Sequence, residues 1–148
     1  MRISEAMTRN VCIARPDQTI QDAARMMVEE DIGIVPVGDN DRLVGMLSDR
    51  DIAVRAIAQG KGPDAKVADV MTTDIKYCFE DEDTHQVARN MGDQQIRRIP
   101  VVSRDKRLVG ILSLCDLAHL QSPELAGEAL SDVTRAGGLH TQTAAARM

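Results

Sequence analysis

The chain has 148 residues, enough for one domain of ordinary size or for two small units that share a core. Its net charge is −5 and its basic residues are scattered, which argues against non-specific binding to nucleic acid or to an anionic membrane. Hydrophobic residues make up 43% of the sequence but aromatic residues only 1%, so we expect an aliphatic core.

The first 60 residues predict a fixed order of short elements. "ISEAMT" predicts a helical turn and "NVCIARP" a strand. In "DQTIQDAARMMVEEDI", apolar residues from Ile20 to Val28 recur at helical spacing, with Thr19 as the N-cap. "IGIVPV" and "LVGMLS" predict two strands joined by the turn "GDNDR", and "DRDIAVRAIAQ" predicts a second helix. The resulting unit is strand, helix, hairpin, helix.

The same order returns after the short connector "GKGPDAK", in "VADVMT", "DIKYCFE", "RRIPVV", "LVGILS" and "LCDLAHLQ". The copies are offset by 64 residues, and by 65 after one inserted residue. Their identities include Met7/Met71, Thr8/Thr72, Asp17/Asp81, Ala24/Ala88, Arg25/Arg89, Met27/Met91, Ile32/Ile96, Pro36/Pro100, Val37/Val101, Asp41/Asp105, Leu43/Leu108, Val44/Val109, Gly45/Gly110, Leu47/Leu112, Ser48/Ser113 and Asp51/Asp116. One copy buries too little apolar surface alone, so we expect two copies to pack face to face.

The repeated pattern resembles a CBS-domain pair, or Bateman module, of the small stand-alone bacterial type. The resemblance rests on "IVPV" and "RIPV", on Leu-Val-Gly-apolar-Leu-Ser, and on "SDRD" and "SLCD" at the helix starts. It implies an α+β, sandwich-like fold of two tandem units, each a three-stranded sheet with two helices, packed by pseudo-two-fold symmetry. We assign residues 1–60 and 67–121 to the two CBS domains, 61–66 to a connector, and 122–148 to a C-terminal helix and flexible tail.

The Ser-x-x-Asp motif places a hydroxyl and a carboxylate at the start of a helix, where backbone N–H groups lack partners. One interpretation of Ser48 and Ser113 is a helix cap. Asp51 and Asp116 lie beyond the cap position and need not accept a backbone N–H, so each could accept two hydrogen bonds from a vicinal diol. A ribose offers such a diol.

The resemblance implies that these aspartates bind ribose, that the serine and the helix start approach phosphate, and that adenine lies between the copies. Each site would draw on both copies. The predicted Asp116 site comprises Thr8, Ile13, Ile32, Gly33, Ile34, Arg97, Ile111, Ser113, Cys115 and Asp116. The predicted Asp51 site comprises Thr72, Tyr77, Ile96, Arg97, Arg98, Met46, Ser48, Arg50 and Asp51.

The two predicted sites differ in charge. Arg97 and Arg98 replace Gly33 and Ile34 of the first copy, and a guanidinium can bind phosphate through two donors. Arg50 adds a cation where the second copy has a cysteine. We therefore expect phosphate on the Asp51 side; the alternative for the arginines is a solvated strand end or a carboxylate partner.

The Asp116 side is less charged. Gly33 would leave the backbone bare for a flat ring, and Ile13, Ile34 and Ile111 could sandwich adenine. The alternative for these isoleucines is core packing.

No phosphate-loop or dinucleotide-binding glycine motif occurs, and the acidic run "EDED" predicts a solvated turn and helix start. Cys12, Cys78 and Cys115 lack metal or disulfide spacing and predict reduced thiols packed as small buried hydrophobes, and the histidines are isolated, so we expect no metal site. The sequence contains no apolar run of about 18 residues and no signal-peptide pattern at its start. We expect a cytoplasmic protein that binds without turnover and is not an enzyme.

The remaining segment, "SPELAGEALSDVTRAGG", predicts a helix that begins at Ser122-Pro123 and ends at Gly137-Gly138, followed by a frayed "LHTQTAAARM". The resemblance also implies a two-fold homodimer with helices at its interface. Candidate interface residues are Ile52, Val54, Ala56, Ile57, Leu117 and Leu120, with core packing as the alternative.

The leading hypothesis is a regulatory module that binds an adenine nucleotide, most simply AMP, and signals by a conformational change to an unidentified effector protein. ATP, ADP, NAD and S-adenosylmethionine share the adenosine group, and no cofactor is required. The alternative is a dimerisation or assembly module without a physiological nucleotide. We expect neither nucleic acid nor membrane as a partner.

Overall fold

The computed structural model describes residues 1–135, which form two compact units. The N-unit comprises Asn10–Lys76 and Asp105–Leu108, and the described part of the C-unit comprises Met1–Arg9, Tyr77–Arg104 and residues 109–135. Each unit therefore contains a segment from the other sequence copy. The C-terminal helix ends at Val133, before the predicted end at Gly137-Gly138, and the predicted frayed tail lies outside the described residues.

The fold is mixed α+β, as predicted, with two small sheets in the described residues. The helices are α1 (Ile3–Ala6), α2 (Ile20–Glu30), α3 (Asp49–Asp51), α4 (Thr84–Gln94), α5 (Leu114–Leu120) and α6 (Pro123–Val133). The strands are β1 (Ile34–Asp39), β2 (Arg42–Ser48), β3 (Cys78–Phe79), β4 (Arg98–Val102) and β5 (Leu108–Ser113). After α3 the chain continues as a π-helix (Ile52–Ala56) and a 3-10 turn (Ile57–Gln59), and Val67–Asp69 forms another 3-10 turn.

The helix starts follow the local sequence signals. Thr19 caps α2 by accepting a hydrogen bond from the backbone N–H of Asp22 at 3.1 Å, and Ser122 caps α6 by accepting one from Leu125 at 2.9 Å. Pro123 at the first helical position needs no N–H partner. Both predicted caps are confirmed because they depend only on neighbouring residues.

The N-unit hairpin has the turn that its sequence predicts. Asn40 and Asp41 both have positive φ, 52° and 65°, as a two-residue type I′ turn requires. Strands β1 and β2 are antiparallel and pair Ile34 with Ser48. In the C-unit, β3 is parallel to β4, and the sheet order is β3-β4-β5.

The third strand expected in the N-unit is reduced to one bridge. Ala14 donates its N–H to the carbonyl of Pro36 at 3.0 Å and accepts the N–H of Gly38 at 2.9 Å. Pro16, two residues later, has no N–H with which to extend the ladder. In place of the predicted three-stranded sheet, the N-unit therefore has the β1–β2 hairpin and one parallel bridge.

Both cores are aliphatic, as expected. Two of the candidate interface residues, Ala56 and Leu117, are fully buried in these cores, and Ile52 packs against one of them. Core packing therefore explains those positions, whereas Val54, Ile57 and Leu120 are exposed.

The cysteines are free thiols with different exposures. Cys78 is buried, and burial raises the pKa of its thiol to about 12. The prediction of a buried residue is wrong at Cys12, which is half-buried, and at Cys115, which is exposed. Cys115 lies on the outer side of the first turn of α5, between buried Leu114 and half-buried Asp116.

The terminal helix α6 packs on α4 and α5 and buries Ala126 and Ala129. The helices α4 and α6 approach closely at Gly92, where an added Cβ would lie 3.0 Å from the Cβ of Asp132. Glycine at this position of α4 thus allows α6 to dock. No helix in the described residues is long and apolar enough to span a membrane.

In each unit, the Met-Thr pair of one sequence copy packs against the glycine of the Leu-Val-Gly strand from the other copy. In the C-unit, Thr8 and Ile111 exchange backbone hydrogen bonds at 2.9 and 3.0 Å, and an added Cβ on Gly110 would lie 2.7 Å from the Thr8 carbonyl oxygen. The glycine is needed because the Met-Thr segment crosses the strand at backbone contact distance.

The N-unit repeats this crossing. Met46 and Thr72 exchange backbone hydrogen bonds at 3.0 and 2.8 Å, and an added Cβ on Gly45 would lie 2.6 Å from Met71 Sδ. The Met-Thr pair of each sequence copy therefore packs on the glycine of the other copy.

We expect Gly110→Ala to lower the free energy of unfolding by about 1–3 kcal/mol, because its methyl group would force the Thr8 backbone away. The matched control is Gly127→Ala on α6, where an added Cβ meets nothing within 4 Å. Gly127→Ala should stabilise by about 0.5–1 kcal/mol through helix propensity. Urea unfolding of both variants measures the difference, and equal changes would contradict the close crossing.

Candidate functional site

Asp116 and Ser113 form a reciprocal pair at the start of α5. The Ser113 hydroxyl accepts a hydrogen bond from the Asp116 backbone N–H at 3.1 Å, and Asp116 Oδ2 accepts one from the Ser113 backbone N–H at 2.9 Å. This is a capping box. One oxygen of the carboxylate is thereby fixed, while Oδ1 has no hydrogen bond among the described residues.

Asp51 and Ser48 repeat this arrangement at the start of α3. The Ser48 hydroxyl accepts from the Asp51 N–H at 3.0 Å, and Asp51 Oδ2 accepts from the Ser48 N–H at 3.0 Å. The expectation that these aspartates need not accept a backbone N–H is therefore wrong, because each fills the last position of a capping box. The cap orients the carboxylate and still leaves lone pairs on both of its oxygens.

The backbone crossings bring further site residues to each pair. Thr8 is bonded to Ile111, two residues before Ser113 on the same strand, and Thr72 is bonded to Met46, two residues before Ser48. Alternate strand residues share one face of a sheet. We call Thr8, Ile111, Ser113 and Asp116 the Asp116 half-site, and Thr72, Met46, Ser48 and Asp51 the Asp51 half-site.

The C-unit also brings four predicted residues together in one groove. Arg97, Arg98, Ser113 and Cys115 line a cavity of about 460 Å³. The other walls come from α5 and α6, namely Leu114, Ala118, Pro123, Ala126, Gly127 and Leu130. Both arginines are exposed, and neither makes an ion pair among the described residues. Within its own unit, Arg98 thus accompanies Ser113, although the sequence assigned it to the Asp51 set.

The N-unit places Gly33 and Ile34 beside the Asp51 half-site. The Gly33 carbonyl accepts the Asp49 N–H at 2.8 Å, and Ile34 pairs with Ser48. An added Cβ on Gly33 would lie 2.9 Å from Asp49 Oδ2. The space beside this glycine is therefore filled by a carboxylate and is not bare as expected.

The predicted adenine-contacting isoleucines are not core residues. Ile13 and Ile32 are 38% and 37% exposed, and Ile34 and Ile111 are half-buried. Plain core packing therefore does not account for these side chains.

Tyr77 lies in an aromatic and charged cluster of the C-unit. Its ring meets Phe79 edge to face at a centroid distance of 5.8 Å, and the Arg104 guanidinium lies 4.2 Å above the Phe79 ring. Arg104 Nη2 also lies 2.8 Å from Asp81, and this hydrogen-bonded guanidinium lowers the pKa of the Asp81 carboxyl. Asp81 of the acidic run is thus paired, and Asp83 of the same run caps α4.

Each predicted nucleotide set is divided between the two units. Of the Asp116 set, Ile13, Ile32, Gly33 and Ile34 belong to the N-unit. Of the Asp51 set, Tyr77, Ile96, Arg97 and Arg98 belong to the C-unit, whereas exposed Arg50 lies with Asp51 in the N-unit. The composite sites therefore remain predictions. The N-unit by itself contains the Asp51 half-site, and the C-unit by itself contains the Asp116 half-site.

Arg55 lies at the Asp51 half-site and was not among the predicted site residues. Arg55 Nε lies 3.8 Å from Asp51 Oδ1, and Arg55 Nη1 donates to the Met71 carbonyl at 3.2 Å. The spacing of four residues on a helix was the available signal. Between residues 1 and 135, no group of three or more His, Cys, Asp and Glu side chains could hold a metal ion.

The sequence model of the CBS-domain family matches residues 3–57 and 67–122 of this chain. The chain is 40% identical over 133 residues to the CBS domain-containing protein YhcV of Bacillus subtilis, covering 89% of this chain and 94% of the relative. The CBS domain protein PAE2072 of Pyrobaculum aerophilum, solved in complex with AMP, has a TM-score of 0.74 at 28% identity, covering 86% and 99% of the chains.

The CBS-domain pair of protein MJ0100, solved with 5′-methylthioadenosine and S-adenosyl-L-methionine, has a TM-score of 0.71 at 29% identity, covering 81% and 94%. The fold and the duplicated half-sites define a tandem-repeat α+β protein of the kind that is typically regulatory and not catalytic. The chain belongs to the CBS-domain family and carries a pair of these domains.

Proposed function

We propose that this CBS pair is a sensor of the AMP type, which binds an adenine nucleotide and passes a conformational change to a partner protein. The observation that carries this proposal is the duplicated capping box, in which Asp51 and Asp116 are held by Ser48 and Ser113 with acceptor capacity to spare. A carboxylate fixed in this way can accept both hydroxyl groups of a ribose without first losing side-chain entropy.

The charges around the half-sites suit a phosphate. Arg97 and Arg98 line the same groove as Ser113, and Arg50 lies next to Asp51 in sequence. Guanidinium groups without carboxylate partners are the natural ligands of a nucleotide phosphate. We further propose that each nucleotide is completed by residues of the other unit, as the predicted sets require.

The ligands of similar proteins point to the same chemical group. AMP, 5′-methylthioadenosine and S-adenosylmethionine, named with PAE2072 and MJ0100, share an adenosine. Binding without turnover is proposed, so incubation with ATP or NAD should leave both compounds intact. We place this function in the cytoplasm, where free thiols such as Cys12 and Cys115 stay reduced.

A second candidate function is assembly. Of the predicted dimer-interface residues, Val54, Ile57 and Leu120 are exposed and so stay available to a second copy of the chain. An assembly module without a nucleotide ligand would show no response to adenosine compounds.

AMP at 100 times its dissociation constant should stabilise the protein by about 2.7 kcal/mol, which raises the melting temperature by roughly 5–10 °C. The control is 2′,3′-dideoxy-AMP, which has the same base and phosphate but no diol, and should give a much smaller shift at the same concentration. Thermal melts with both compounds measure this. No response to either compound would favour assembly, and equal responses would contradict the ribose role.

A further inference from the structure

We propose that Arg55 makes the two ribose sites unequal, because it competes with ribose for the carboxylate of Asp51. This inference rests on the proposed function and assigns to it a residue that tunes one site only. Adenosine should consequently bind more weakly to Asp51 than it would without Arg55.

The guanidinium of Arg55 lies beside Oδ1 of Asp51, the carboxylate oxygen that takes no part in the helix cap. Asp51 Oδ2 accepts the Ser48 N–H at 3.0 Å, and Arg55 Nε lies 3.8 Å from the other oxygen, Oδ1. This distance is an ion pair without a hydrogen bond. Arg55 Nη1 also donates to the Met71 carbonyl at 3.2 Å, next to Thr72 of the same half-site.

The side chain of Asp51 is only partly open to solvent, so a ribose can approach little of its carboxylate. The Asp51 side chain is 18% exposed, whereas Arg55 is 52% exposed. A ribose that approaches the remaining exposed part of the carboxylate would meet the guanidinium there. Arg55 must then rotate into solvent or share Oδ1 with a hydroxyl group.

The Asp116 half-site lacks this competitor. Leu120 occupies the position four residues after Asp116, and no cation lies within 4.0 Å of Asp116 in the described part of the chain. The cap itself is the same, with Asp116 Oδ2 accepting the Ser113 N–H at 2.9 Å. The two half-sites therefore present equally capped carboxylates that differ in one neighbouring cation.

Neutral adenosine separates competition by Arg55 from an attraction between Arg55 and phosphate. In an Asp116→Ala background, which reports only the Asp51 site, Arg55→Leu should tighten adenosine binding by about two- to fivefold, the range of an exposed ion pair. Raising KCl from about 0.05 to 0.5 M should tighten adenosine binding when Arg55 is present and have little effect in Arg55→Leu. Calorimetry measures both.

The reciprocal exchange uses the other site. In an Asp51→Ala background, Leu120→Arg should weaken adenosine binding by a similar factor. For Arg55→Leu in the Asp116→Ala background, the matched control is Arg25→Leu. Arg25 is an exposed arginine of α2 in the same unit as Arg55, and its loss changes the net charge equally. Arg55→Gln serves in place of Arg55→Leu if the leucine variant is unstable.

The outcomes distinguish this inference from the proposed function. Unchanged or weaker adenosine affinity in Arg55→Leu would overturn the competition while leaving nucleotide binding intact. If the unsubstituted protein binds neither adenosine nor AMP, the proposed function fails, and this inference fails with it.

Discussion

The double variant Asp51→Ala/Asp116→Ala should lose AMP binding, with each substitution weakening one site by about tenfold to a hundredfold. The physical reason is the loss of charge-assisted hydrogen bonds to the ribose, which contribute roughly 1.5–3 kcal/mol. Calorimetry with the single variants should show one weakened site each, and the double variant should show both. Equal AMP affinity in the unsubstituted protein and the double variant would eliminate the ribose role.

Removal of either aspartate also removes half of a capping box, so a control for stability is needed. Asp22→Ala provides it, because Asp22 accepts the Thr19 N–H at 3.3 Å in the same kind of box on α2, away from either half-site. Each alanine should lower the free energy of unfolding by about 1 kcal/mol. Only Asp51→Ala and Asp116→Ala should weaken AMP binding.

Asparagine substitutions sharpen the same test. Asp116→Asn keeps an oxygen that can accept the Ser113 N–H, so the cap should persist, but the amide brings two donors toward ribose hydroxyls that also need to donate. We expect Asp116→Asn to weaken AMP binding nearly as much as Asp116→Ala at little cost in stability. A variant that lost stability but kept binding would assign Asp116 to the cap alone.

The Ser-x-x-Asp motifs show what was predictable from local sequence: the serine cap was one of our interpretations, whereas the capping-box contact of the aspartate was not expected. Ser48 and Asp51 lie three residues apart, so their capping box follows from local geometry, as do the caps at Thr19 and Ser122. The cap and the proposed ligand contact use the same residues and are not alternatives. The repeat and the resemblance predicted the fold class for the same reason, since both depend on a pattern along the chain.

The features that were not predictable from the sequence depend on contacts between residues far apart in the chain. The Met-Thr segment of one copy pairs with the Leu-Val-Gly strand of the other, and no periodicity within a copy encodes which strand Thr8 will meet. The side chain of Asp49 fills the space beside Gly33, because a backbone hydrogen bond joins these two residues. The presence of a glycine in the sequence does not indicate this contact. The ion pair of Arg55 with Asp51 was predictable from their spacing of four residues on a helix. The hydrogen bond from the Arg55 guanidinium to the Met71 carbonyl was not predictable.

The largest loss of stability is expected from Leu112→Ala. Leu112 is fully buried, and it lies between Ile111, which is bonded to Thr8, and Ser113, which caps α5. Deleting three buried heavy atoms without filling the space should lower the free energy of unfolding by about 2–5 kcal/mol. Leu47 is its fully buried counterpart between Met46 and Ser48, and we expect a similar cost for Leu47→Ala.

Leu130→Ala on α6 is the matched control, because Leu130 is 44% exposed and should cost less than about 1 kcal/mol. Leu112→Met, which conserves volume, should cost less than about 1.5 kcal/mol. Urea unfolding measures all four variants, and a Leu112→Ala cost no larger than that of Leu130→Ala would contradict the burial of this strand.

The buried leucines and the capped aspartates should separate packing from recognition. Strand alternation points Leu112 into the core while Ile111 and Ser113 face the other side, so the leucine supports the half-site without touching a ligand. Leu112→Met should therefore keep AMP affinity within about twofold, since it preserves the strand position, whereas Asp116→Asn should lose affinity in a folded protein. Loss of AMP binding in Leu112→Met without unfolding would mean that the half-site is set by core packing and not by the cap.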